Sequence, residues 1–246
     1  MQQNIKETIK NKYGKIASQT TFANKVIQFN KQLSFTEKLP NGIRVMNPFQ
    51  DNAEIISITE IFYNKFYNDD RKRKLILGIN PGRFGAGATG IPFTDTKRLQ
   101  KICDIKIESV NTHEPSSVFV YELIEKYGGA KKFYNDFYIN SICPLGFIEK
   151  NEKENWVNRN YYDYDELFFA MQNFITTSLK KQISFGIDTN ICFVLGKKNA
   201  KFLQLINKKE KLFHSIVTFY HPRYIEQYKS KMKDKYISEY LNKLTA

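Results

Sequence analysis

At 246 residues, 41% of them hydrophobic and 15% aromatic, the chain is long enough for one sizeable α/β core and does not have the composition of a disordered polymer. Its three cysteines, Cys103, Cys143 and Cys192, stand far apart without C-x-x-C spacing, which argues against a disulfide framework, a zinc site or an iron–sulfur site and for reduced, buried thiols. A net charge of +13 and a pI of about 9.4 suit a polyanionic partner, because Lys and Arg that neutralise phosphates release counterions; a solvated Lys-rich surface is the alternative.

The N-terminal MQQNIKETIKNKYGK holds no apolar core flanked by a cleavage signal. No apolar run elsewhere approaches the roughly 18 to 20 residues of a membrane span. The expectation is a soluble, cytoplasmic protein with no membrane partner. Apolar residues at helical spacing mark Thr20 to Gln32 (Phe22, Val26, Phe29) and Ile55 to Tyr67 (Ile58, Phe62, Phe66), so residues 1–70 read as a mainly helical lead-in to a single domain spanning 1–246. Lys74 to Ile79 reads as a short buried strand, followed by the Gly-rich NPGRFGAGATGIPFTD and a helix from Thr96 to Ile102. Glu114 to Tyr127 reads as a helix closed by Gly128 and Gly129, since glycine accepts the left-handed geometry that ends a helix.

The pattern then repeats. DFYINSI (136–142) is a predicted strand, CPLGF a loop, Asp163 to Ser184 a long helix and NICFVL (190–195) another buried strand. Gly196 to Ile206 supplies a turn and helix, SIVTFY (215–220) a strand, HPR a turn, and Tyr224 to Leu244 a basic terminal helix. Alternating helices and continuously apolar strands indicate an α/β fold with a parallel sheet covered on both faces. Ligands of such sheets bind beyond the carboxyl ends of the strands, and polar segments begin at three of those ends, at Asn80, Asn140 and His221.

Gly85-Ala-Gly-Ala-Thr-Gly90 satisfies G-x-G-x-x-G after a strand, the dinucleotide-binding pattern, but Ile91-Pro92 follows at once where that motif needs a continuing helix, and no acidic residue ends a second strand about 20 residues on. No Gly-Lys-Ser/Thr supports a P-loop, and no G-x-S-x-G supports an α/β hydrolase. The longer run GINPGRFGAGATGIPFTD instead resembles motif one of the single-strand-selective monofunctional uracil-DNA glycosylases, within the uracil-DNA glycosylase superfamily. Gly78, Asn80, Pro81, Gly82, Phe84, Gly85, Thr89, Gly90, Pro92 and Phe93 fall at the motif's spacings. Asn140-Ser-Ile-Cys-Pro-Leu145 resembles that family's second motif, and His221-Pro222 its histidine motif. GINPGRFG and the shortened HPR are closer to a bacterial branch described as a second type.

What the resemblance implies is specific. The fold is a central, mainly parallel four-stranded sheet in a three-layer α/β/α arrangement. The activity is removal of uracil from DNA by extruding the base and hydrolysing its bond to the sugar, with no cofactor and no metal. Phe93 stacks on the extruded base, Asn140 pairs with O4 and N3–H of uracil, and Gly82 and Phe84 belong to the base-recognition segment. Asn80 positions the attacking water, which an asparagine orients rather than deprotonates. His221 donates a hydrogen bond to O2 as negative charge develops on the departing base.

Gly82 stands where a bulky aromatic excludes the thymine methyl in the uracil-specific branch, so 5-modified and deaminated purine bases enter the expected range. Arg83 replaces a proline of the animal family, and HPRYIEQYK lacks its second Ser-Pro, which leaves Arg223 and Tyr224, with Arg83, to contact DNA and fill the gap behind the flipped base. Single-stranded DNA is then the favoured partner, with duplex DNA a second one, and the protein is expected to act as a monomer. No lysine or amino-terminal nucleophile sits in these motifs, so the expected product is an abasic site without a Schiff-base lyase step. His113 and His214 read as structural. The competing class is a non-catalytic nucleic-acid binder on the same fold, which binding alone would satisfy without Asn80, Asn140 and His221 together.

Overall fold

The computed structural model describes residues 20–246; of the expected lead-in, residues 1–19 lie outside the described residues. The lead-in consists of α1 (Phe22–Gln32), a short strand β1 (Arg44–Met46), one turn of helix α2 (Pro48–Asp51) and α3 (Ala53–Tyr67). Strand β2 (Arg73–Gly78) then leads through two short helices, α4 (Ala86–Thr89) and α5 (Thr96–Lys101), to α6 (Pro115–Tyr127) and α7 (Ala130–Asp136). Strands β3 (Phe137–Ser141), β4 (Gly146–Lys150) and β5 (Trp156–Arg159) precede the long α8 (Asp165–Ile183). The chain finishes with β6 (Ile187–Leu195), α9 (Lys197–Glu210), β7 (Ser215–Phe219), α10 (Pro222–Tyr228), a 3₁₀ turn and α11 (Lys233–Thr245).

The four predicted strands pair in parallel in the order β3-β2-β6-β7. Leu75, Ile76 and Leu77 of β2 and Cys192 to Leu195 of β6 are all buried, as a sheet covered on both faces requires, and flanking helices make it the expected three-layer α/β/α fold. Helix ends follow their chemistry. Thr21 caps α1 by accepting from the Asn24 N–H, and α6 starts with Pro115 at its first turn and ends at Gly128, whose φ of 119° only glycine adopts readily.

The lead-in is bound to the sheet through a buried cation. Arg73 is fully enclosed, with its guanidinium 4.8 Å from the Phe22 and Tyr67 ring centroids, two bonds to Asp69 (2.8 and 3.0 Å) and one to the Tyr134 carbonyl (2.8 Å). A charge out of water survives only with such complete pairing.

Three features differ from the sequence reading. Residues expected as loop and helical lead-in form a second, antiparallel sheet, β1-β4-β5, with Val45 opposite Phe147 and Phe147 opposite Arg159. These strands have three to five residues and find partners far away in sequence, so periodicity does not reveal them. The basic terminal helix is interrupted at Lys229, whose φ of −134° and ψ of 25° leave the helical region, giving α10 and α11. The HPR turn is itself a helix start, with His221 at the cap and Pro222 in the first turn.

The three cysteines are free and buried, and burial pushes the Cys103 thiol up to about 11 and Cys143 up to about 12. Among the described residues no helix is long and apolar enough to cross a membrane.

At the carboxyl edge of the sheet a buried amide ties the layers together. Asn199 at the start of α9 donates to the carbonyls of Gly78 (3.0 Å) and Leu195 (3.2 Å) and accepts from the Tyr161 hydroxyl (2.9 Å). Asn199→Ala leaves a buried hydroxyl and carbonyls short of partners, and should cost about 2 kcal/mol. Urea unfolding is expected to show a lower midpoint with an unchanged slope; an unchanged midpoint would remove the tie from the account.

Candidate active site

The loop after β2 is folded by its own small residues. Gly82 to Gly85 make a turn closed by the Gly85 N–H on the Gly82 carbonyl (3.1 Å), and α4 follows for one turn until Gly90, at φ 71°, ends it. The buried Thr89 hydroxyl donates to the Thr94 carbonyl (2.7 Å), and the Thr94 hydroxyl meets the Tyr121 hydroxyl at 2.9 Å. Between these anchors Phe93 is held at φ 54°, a left-handed conformation that costs a bulky L-residue on the order of 1 kcal/mol. Such strain persists where the surroundings over-determine it, typically at functional sites. Its ring lies against Gly78, where an added Cβ would come within 2.7 Å of two ring carbons.

Beyond the strand ends lies a cavity of about 210 Å³. Asn80, Gly82, Phe93, Glu114, His221 and Arg223 are among its walls, with Asn158, Asn160 and Ser141. Asn80 is clamped across it: its amide donates to the Arg159 carbonyl (3.1 Å), and its carbonyl accepts from the Tyr161 N–H (3.1 Å). The Phe93 and His221 ring centroids stand 5.9 Å apart.

His221 is half-buried, and burial, reinforced by the Arg223 cation, pulls its imidazole down to about 4. The ring is therefore neutral near pH 7. Nδ1 accepts the Arg223 N–H at 3.2 Å, so the proton of the neutral ring resides on Nε2, which is left as a hydrogen-bond donor. Glu114 is the carboxylate of the cavity wall. Burial raises its carboxyl above the ordinary range, opposed by the Ser116 hydroxyl, which donates to Oε1 at 2.6 Å, and by Arg223.

Asn140 is almost fully buried in a small recess that shares Pro81, Ala86 and Pro92 with the cavity. Its orientation is fixed, because Oδ1 accepts the Ser141 N–H (2.8 Å) while Nδ2 donates to the Tyr138 hydroxyl (2.5 Å). One N–H and one lone pair remain.

Asn80, Gly82, Phe93, His221 and Arg223 thus converge on one cavity with Asn140 behind it, as expected from three distant segments. Phe84 departs from its expected place in base recognition. It occupies the tip of the Gly82–Gly85 turn, 50% exposed, with the Arg83 guanidinium 4.9 Å above its ring, so it faces outward and does not line the cavity. Arg83 and Tyr224 also lie outside the cavity walls.

Tyr224 belongs to an aromatic row that starts at Tyr220, just before the helix, and continues along α10: it stacks on Tyr220 (5.7 Å, 18°) and is tilted against Tyr228 (5.6 Å, 40°), with Lys197 4.6 Å from the Tyr220 ring. Four polar wall residues escaped the sequence reading: Glu114, Ser141, Asn158 and Asn160. Asn158 and Asn160 are two apart, and alternation along an extended segment was the available signal; nothing local distinguishes Glu114 from an ordinary helix-start acid. Among the described residues no group of three or more His, Cys, Asp or Glu is placed to hold a metal ion.

A polar-walled pocket at the strand ends, with an aromatic ring, a fixed amide and a neutral imidazole donor, suits the intake and reading of a planar heterocycle. The family model of the uracil DNA glycosylase superfamily matches residues 65–245, and the chain belongs to that superfamily. The crystal structure of wild-type Pedobacter heparinus SMUG2 is 52% identical, with a TM-score of 0.89, covering 92% of this chain and 97% of that one. No curated protein matches the chain. The superfamily and this neighbour make the chain a DNA glycosylase.

Gly78→Ala is expected to push the Phe93 ring aside, because two ring carbons already lie 2.7 Å from where the methyl group would stand. Excision should fall by about 100-fold, as for other small misplacements of a reacting group, while circular dichroism stays native. Full activity in this variant would show that the ring's position is not needed.

Proposed function

We propose that the chain hydrolyses the N-glycosidic bond of uracil in DNA, extruding the base into the cavity and leaving an abasic site. The observation that carries this reading is the neutral Nε2–H donor of His221 beside the Phe93 ring. Breaking the bond sends its electron pair into the base. A preorganised donor aimed at a base oxygen in a water-poor site is worth several kcal/mol to that transition state, and a neutral donor gains more from developing charge than it spends on the uncharged substrate.

Phe93 supplies the stacking surface. Asn140 reads the far edge: its remaining N–H and lone pair complement O4 and N3–H of uracil, and rotating the amide to suit the reversed pattern of cytosine would break its bond from the Ser141 N–H. Asn80, braced by the Arg159 and Tyr161 backbone, orients the attacking water through its carbonyl. Arg223 at the cavity wall meets phosphate, and Arg83 with the Tyr220–Tyr224–Tyr228 row receives the neighbouring strand.

At Gly82 an added Cβ would still be 3.4 Å from the Asn158 amide and 4.0 Å from Glu114, so the wall there is open and the reading extends to 5-modified uracils and deaminated purines. Single-stranded DNA is the favoured form, since an unpaired base costs less to extrude. The working form in this reading is a monomer.

A labelled single strand carrying one uracil should break only after hot alkali, the mark of a monofunctional enzyme. His221→Ala and Asn140→Ala should each slow the reaction by about 100-fold or more, and Tyr228→Ala should weaken single-strand binding with little change in the rate of the bound complex. If strands carrying uracil, xanthine or 5-hydroxymethyluracil all remain intact, the catalytic reading is lost.

A further inference from the structure

The proposed reaction needs a group that accepts a proton from water, and Asn80 cannot be that group. An amide has no useful basicity, and Asn80 already spends its side chain on the Arg159 carbonyl and the Tyr161 N–H. The carboxylate in the same cavity wall is Glu114.

Its placement is built. Glu114 caps α6, where its backbone N–H donates to Asp95 (2.9 Å), and Oε1 is pinned by the Ser116 hydroxyl (2.6 Å). Oε2 lies over Gly85, in space that any Cβ at that position would take. A glycine at 85 is thus what lets the carboxylate reach the cavity from α6, while the open face of Gly82 lies 4.0 Å from Oε1.

We propose that Glu114 is a further catalytic group of this glycosylase, the base for the attacking water and the negative charge facing the sugar as it becomes cationic. The inference rests on the reading of the cavity as the site of base excision. As the C1′–N bond breaks, its electron pair leaves with the base. Water oxygen bonds to C1′, and one water proton passes to the Glu114 carboxylate, later to be released to solvent or to the departing base anion. The products are an abasic sugar with a C1′ hydroxyl and the free base.

The charged and titratable groups around it pull its proton affinity in both directions, with a net rise. Burial, the largest influence, and Asp95 favour its protonated form, opposed by the Ser116 hydroxyl and by Arg223 in the same wall. Asp95 is itself paired with Arg98 (2.9 Å) and approached by His113 (3.4 Å), and His221 in the same cavity is neutral. A general base is most effective when its proton affinity lies close to the working pH.

The test is single-turnover excision from a uracil-containing single strand by the wild type, Glu114→Gln and Ser116→Ala between pH 4.5 and 8, with binding to a non-cleavable 2′-fluoro-uracil strand measured in parallel. Glu114→Gln should slow excision by about 100-fold or more while affinity for the non-cleavable strand stays within about threefold. The wild-type rate should fall as pH drops through the carboxyl's titration, a limb that Glu114→Gln abolishes. Ser116→Ala, which removes a bond to the charged form, should move that limb to higher pH.

Wild-type rates in Glu114→Gln, or a slow variant that keeps the wild-type pH limb, would overturn the inference and leave the glycosylase reading intact. A wild-type protein that excises no base overturns both.

Discussion

Gly78 is the point on which the site depends, because it is used twice. Its carbonyl receives the Ile142 N–H from the neighbouring strand and the Asn199 amide from the following helix layer, fixing the ends of β2, β3 and β6 relative to one another. Its missing side chain is the space into which Phe93 packs. A residue with any side chain there must displace the ring. The left-handed backbone of Phe93 and the buried bonds from the Thr89 hydroxyl to the Thr94 carbonyl and between the Thr94 and Tyr121 hydroxyls hold that ring in a loop leaving the same strand.

From this edge the chemistry is arranged by which groups are already satisfied. Asn80, Asn140 and His221 each have part of their hydrogen-bonding capacity bound by backbone, and the remainder has a defined direction and sense. Fixing the donors and acceptors in advance means that little reorganisation is needed when charge separates between base and sugar. Burial lowers the proton affinity of the imidazole and raises that of the Glu114 carboxyl, shifts of opposite direction that both favour the uncharged form. Of the cationic side chains, Arg223 lies in the cavity wall and Arg83 outside it.

Much of this was legible in the sequence because the parallel sheet is local in its signals: each strand is an apolar run, and each functional segment follows one directly. The three motif loops therefore converge as topology requires. The antiparallel sheet was not legible, since β1 must wait for β4, a hundred residues later, before its three residues have any reason to be extended. Phe84 was misplaced because spacing within the Gly-rich segment does not say which residues fall at a turn tip, and the Gly82–Gly85 turn sends it outward. Glu114 was invisible for a different reason. Its position in the cavity depends on the absence of a Cβ at Gly85, nearly thirty residues away, and no local pattern encodes that contact.

The central claim is that His221 is a neutral donor through Nε2 in the resting protein, and nitrogen-15 NMR of the imidazole across pH tests it most directly. The account expects a protonated Nε2 and bare Nδ1 at pH 7, with no titration until the pH approaches about 4. A proton on Nδ1 at neutral pH, or a titration midpoint near the ordinary histidine value of 6.5, would contradict it.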